Sequence, residues 1–112
     1  MTREEAVQSL MRFDRPIETL RASLRDFPFD WDDKPLGILR RPHVVSVLRR
    51  WRLGELSDRE VEDWADLVEL REDLEHDPDD EAVATAVFVL AHPELEGRLS
   101  EQGPKVLKSL MT

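Results

Sequence analysis

The chain has no cysteine among its 112 residues. It therefore forms no disulfide, offers no nucleophilic thiol and holds no metal through thiolates. It has no apolar run near the roughly 20 residues of a membrane span. Its first ten residues, MTREEAVQSL, lack a basic region followed by a hydrophobic stretch, so no signal peptide is expected and the expected location is cytoplasmic. Basic charge is in short supply. Sixteen Lys and Arg face 25 Asp and Glu, for a net charge of −9 and a pI near 4.8. A phosphate backbone needs a basic footprint, so nucleic acid is not an expected partner, nor is a membrane. Phosphate loops, GxGxxG, GxSxG and HExxH are missing too, and no cofactor is expected.

What is present is enough for a folded protein. Forty per cent hydrophobic residues, with three Trp and four Phe, outweigh the 37% of charged residues as an argument about disorder. The length suits one domain, residues 1–112, with a single modest core.

Residues 57–77, SDREVEDWADLVELREDLEHD, are the centre of the chain. Ser57 and Glu60 have capping-box spacing, and Leu56 with Val61 has that of a hydrophobic staple, so a helix begins there. Val61, Trp64, Ala65, Val68 and Arg71 follow helical spacing, and Leu67, Leu70 and Leu74 widen the buried arc. Asp58, Glu62, Asp66, Glu69, Asp73 and Asp77, three or four apart, read as one acidic stripe. From 58 to 81 there are 13 acidic and two basic residues, a net of −11, so the rest of the chain sums to +2. The negative charge is local. It also opposes the helix it rides on, because like charges at i, i+4 repel and Glu72, Asp73, Glu75 and Asp77 crowd a C-terminus that prefers cations.

Around this stretch the pattern predicts an all-α fold, a compact bundle of five to six short helices. Thr2 and Glu5 have capping-box spacing for a first helix over 2–13, and Ile17, Leu20 and Leu24 mark a second over 15–25. Residues 26–40, DFPFDWDDKPLGILR, alternate aromatics with Pro and Asp and read as an irregular aromatic loop with room for a short strand at 36–39. A third helix, about 42–53, starts at Pro42 and ends before Gly54. It carries Arg40, Arg41, Arg49, Arg50 and Arg52, with no acid between 34 and 54. A turn this short makes neighbours antiparallel, which leaves two readings: either these arginines neutralise part of the acidic helix, or its carboxylates stay uncompensated and open to a cationic partner. Asp77 caps a fifth helix with Pro78 at its first position, and AVATAVFVLA makes it central and buried. A turn over 93–99 and a last helix over 102–111 complete the chain.

Few residues suggest chemistry. His43 is expected to be partly buried and hydrogen-bonded, and His76 to offset the acids around it. The best metal candidate joins Asp30, Asp32 and Asp33 to Glu75, His76, Asp77 or Asp80, since hard cations take clustered carboxylates, but the calcium-loop spacing is missing. A small metal-dependent hydrolase is one alternative this leaves open, and a self-associating structural or adaptor protein is another.

The run VLRRWRLGELSDREVEDWADLVELREDLE, followed by VLAHPELEGRLS, resembles a group of small bacterial helical proteins that includes colicin-D-type immunity proteins. Gly54-Glu55-Leu56-Ser57, Trp64-Ala65 and Pro93-Glu94 carry the resemblance over about 40–110. Arg41, where a Ser or Thr cap belongs, and Gly103-Pro104 depart from it. The resemblance implies a non-enzymatic acidic protein that blocks the phosphate-gripping site of a basic nuclease toxin. The expected partner-binding residues are Asp58, Glu62, Asp66, Glu69 and Asp73, with Glu72, Glu75 and Asp77 at the rim.

Overall fold

Both capping boxes form. Thr2 Oγ1 accepts the Glu5 amide and Glu5 Oε1 accepts the Thr2 amide, each at 3.1 Å, opening helix α1 (Arg3–Arg12). Ser57 and Glu60 do the same at 3.1 and 2.9 Å, opening α4 (Asp58–Leu70). In chain order the computed structural model, which describes residues 2–26, 35–71 and 73–111, runs α1, α2 (Ile17–Arg25), β1 (Gly37–Leu39), α3 (Arg41–Arg52), α4, β2 (Leu74–His76), α5 (Glu81–Ala91), α6 (Pro93–Glu96) and α7 (Leu99–Met111). The fold is mostly all-α, as the periodicity predicts. The aromatic part of the 26–40 loop lies largely outside the described residues, but its short strand is present as β1.

Helix α3 ends in a Schellman motif, the Glu55 amide donating to Arg50 and the Gly54 amide to Trp51, at 2.9 and 3.0 Å. Gly54 takes the left-handed φ of 80° that this closure needs. At the other end the Arg40 amide donates to His43 Nδ1 at 2.9 Å, so an imidazole does the work of the third-residue carboxylate in a capping box. His43 is half-buried, and burial first of all pushes its pKa down, in keeping with an unprotonated Nδ1.

Four expectations are corrected. The acidic helix does not run to Asp77. It stops at Leu70, Arg71 turns to an extended conformation (φ −84°, ψ 120°), and Leu74–His76 pairs with β1 in parallel, Gly37 opposite Leu74. Two forces favour this. Acids at a helix C-terminus oppose the macrodipole, and Asp73 is pulled inward by two arginines. Helix α5 is capped by Asp80 rather than Asp77, with Asp80 Oδ1 accepting the Ala82 amide at 3.3 Å. Asp77 instead closes a turn, its Oδ1 accepting the Asp79 amide at 3.0 Å. Helix α5 is also less enclosed than its apolar sequence predicts. Val83, Ala86, Val87, Leu90 and Ala91 are buried, but Ala84, Thr85 and Phe88 face solvent. At the C-terminal end, 93–96 is a short helix and the last helix starts at Leu99, earlier than the 102 expected.

One continuous core joins the helices α1 to α5 and α7. Trp64 lies at its centre, fully buried, its ring stacked on Phe13 at 6.2 Å. Phe13 is the one described non-glycine residue with positive φ, 49°, and the Arg50 guanidinium sits 5.5 Å over its ring. The principal packing partner of α4 is α5, and α3 packs chiefly on α7 and α5. No helix among the described residues is long and apolar enough to cross a membrane.

Candidate protein-interaction surface

Helical spacing puts Asp58, Glu62, Asp66 and Glu69 on one face of α4, beside the stripe that packs on α5. Asp58 and Asp66 are exposed, while Glu62 and Glu69 are half-buried. Glu62 is half-buried and borders a small cavity that Val89, Leu90, Pro93 and Leu99, from α5 to α7, also line. Burial, first, and then the charges of Asp58, Asp63 and Asp66 raise its carboxyl pKa, with Arg59 opposing. Asp66 is raised for the same reasons, burial first and then Asp63, with Glu69 and Glu94 adding to it and His92 opposing.

Arg40, Arg41, Arg49 and Arg50 reach partners away from this row. Among the described residues, Arg50 donates to the Phe13 carbonyl at 2.7 Å and Arg49 to the Met111 sulfur at 3.9 Å. Arg40 and Arg41 reach past α4 to Asp77, at 3.1 Å, and Asp80. From α3, Trp51 touches the row, its Nε1 donating to Asp58 at 2.7 Å. Arg59 and Arg21 both turn to Asp63, at 3.2 and 3.7 Å, on the neighbouring edge of α4. Glu62 and Asp66 are left without a cationic partner among the described residues.

The other expected partner-binding residues are dispersed. Asp73 is 2% exposed and is not a surface group. It accepts from Arg3 Nε and Arg71 Nε, both at 2.9 Å. Burial alone would raise its pKa, but the hydrogen bonds and charges of Arg71 and Arg3 outweigh it and hold the carboxyl below its ordinary range. Glu75 is exposed on β2, and Asp77 is half-buried under Arg40. Glu72 lies outside the described residues, as do Asp30, Asp32 and Asp33 of the metal candidate. Among the described residues no three His, Asp or Glu side chains gather so as to hold a metal ion.

His92, Glu94 and Phe88 join this surface although none was expected as a partner-binding residue. His92, between α5 and α6, contacts Glu69 Oε1 through Nε2 at 2.9 Å and Glu94 Oε1 through Nδ1 at 3.3 Å. Its ring leans on Phe88 with centroids 4.5 Å apart, and Phe88 remains 42% exposed. The only local sign of this cluster is the His-Pro-Glu step after α5. What assembles it is the packing of α4 on α5. The result is an acidic helix face edged by a half-exposed aromatic, which suits attraction of cations and burial against a protein.

No known family's sequence pattern, no characterised protein and no solved structure matches the chain.

Proposed function

We propose that this chain is a non-enzymatic, cytoplasmic binding protein that engages a cationic protein surface through Asp58, Glu62, Asp66 and Glu69. One observation carries the reading. Glu62 and Asp66 have pKa values raised by burial and by neighbouring acids, with Arg59 and His92 opposing only in part, and neither forms an ion pair among the described residues, although five arginines lie within or beside α3. An incoming Lys or Arg would relieve that repulsion, so a basic partner gains more here than at a neutralised face. Phe88, beside the row, offers the kind of aromatic anchor that concentrates binding energy. The resemblance to colicin-D-type immunity proteins supplies the partner class, a nuclease toxin whose phosphate-gripping site the acidic face would fill.

Such toxins are encoded beside their immunity proteins, so the test is calorimetric titration against the product of the adjacent reading frame. Binding should weaken steeply as salt rises from about 0.05 to 0.5 M, since exposed charges are screened over about 10 Å at 0.1 M. Affinity independent of salt would overturn the reading.

A further inference from the structure

The contacts of His92 add a regulatory element to the acidic face, one that rests on the binding reading above. We infer that His92 is a protonation-controlled clamp, masking two carboxylates of that face when charged and releasing one of them when neutral.

The geometry carries this. An ionised carboxylate only accepts hydrogen bonds, and a neutral imidazole has a single N–H to donate. His92 meets a carboxylate oxygen at each ring nitrogen, Glu69 at 2.9 Å and Glu94 at 3.3 Å. Only the imidazolium satisfies both. On losing a proton it must present a lone pair to one of the two. Glu94 is the one released. Its contact is longer and its side chain is 64% exposed, against 28% for Glu69.

The two carboxylates in contact with the ring act in one direction. Helix α4 presents Glu69 and, farther off, Asp66. Helix α6 presents Glu94, and α5 contributes the uncharged ring of Phe88. Arg71, Glu75 and His76 lie beyond Glu69, across the cleft they line with it. The hydrogen bond to Glu69, foremost, raises the pKa of His92, so the clamp stays closed above the ordinary imidazole value of about 6.5. Because the folded value is the higher one, the stability His92 adds is complete below the unfolded value and is lost as pH rises through the folded one. Cation binding runs the other way. Opening adds one negative charge to the face and frees Glu94, so affinity for a basic partner rises through the same transition. By linkage a bound cation lowers the pKa of His92.

Two measurements on the full chain test this. The first is an NMR titration of the imidazole nitrogens between about pH 5.5 and 9. His92 should titrate above His43 in the same spectrum, and Glu69→Gln and Glu94→Gln should each bring it down. The second is the affinity for hexalysine across that range, which should increase severalfold above the transition in the native chain and stay level in His92→Gln. Titration of His92 at or below His43, or identical pH profiles for the native chain and His92→Gln, would overturn the clamp. Hexalysine that binds at no pH would overturn the cation-binding reading itself, while the titration would still decide whether the clamp exists.

Discussion

The indole N–H of Trp64 donates to the carbonyl of Leu10 at 2.7 Å, with the bond wholly buried. It fixes the acidic helix against α1 at the middle of the core, where the Trp64 ring also stacks on Phe13. Trp64→Phe keeps an aromatic ring but removes the donor and some volume. It should lower stability by about 1–3 kcal/mol, the cost of an unmet buried acceptor with a small cavity. Urea unfolding followed by circular dichroism measures it.

Asp73 holds two guanidiniums, Arg3 and Arg71, and is itself buried. Asp73→Asn removes the negative charge that both cations share. The loss at neutral pH should be about 3–5 kcal/mol. The pH dependence has a definite sign. The carboxyl pKa is depressed in the fold, so its contribution is present above the unfolded value of about 3.9 and fades as pH falls through the folded one. Native chain and variant should therefore converge in stability toward acid. Thermal melts at a series of pH values check this.

Gly103 allows α7 to lie against α3. A Cβ there would meet the Trp51 ring at 2.7 and 2.8 Å, and that ring is tied to Asp58 by its own hydrogen bond. Gly103→Ala should destabilise by about 1–3 kcal/mol from overpacking, even though alanine is the better helix former. The same change in a Trp51→Leu background should do less harm, and a double-mutant cycle reads the difference.

Glu62 is a residue kept at a disadvantage to the fold. Its raised pKa means the ionised form is disfavoured in the native state, a penalty present above the folded pKa and absent below the unfolded one. Glu62→Gln should raise the melting temperature at pH 7, leave it nearly unchanged near pH 3, and weaken binding to a basic partner. Opposite signs in stability and affinity are expected of a functional site rather than of a passive surface.

Features set by neighbours in the chain were legible in the sequence. Thr2 with Glu5, Ser57 with Glu60, and Gly54 after α3 are complete local devices, and each forms. Strand β2 was not legible because its causes are remote. Leu74–His76 pairs with residues 37–39, and Asp73 answers to Arg3, 70 residues away. The strain was visible as acids crowding a helix end, but not its resolution. The row Asp58, Glu62, Asp66 and Glu69 could be read from spacing alone, whereas its continuation through Asp73 and Asp77 assumed a helix that had already ended. His92 and Glu94 join the face only because α4 packs on α5, a contact that no local pattern announces.

Attraction of a basic partner depends on where the acidic charge sits rather than on its total. The measurement that separates the two is the association rate with the basic product of the adjacent reading frame, taken for Glu62→Lys with Asp66→Lys and for a control of equal charge change, Glu4→Lys with Glu101→Lys, both exposed on other helices. Local steering predicts a rate lowered by about tenfold or more in the first pair and about twofold or less in the second. Equal losses in the two pairs would contradict it.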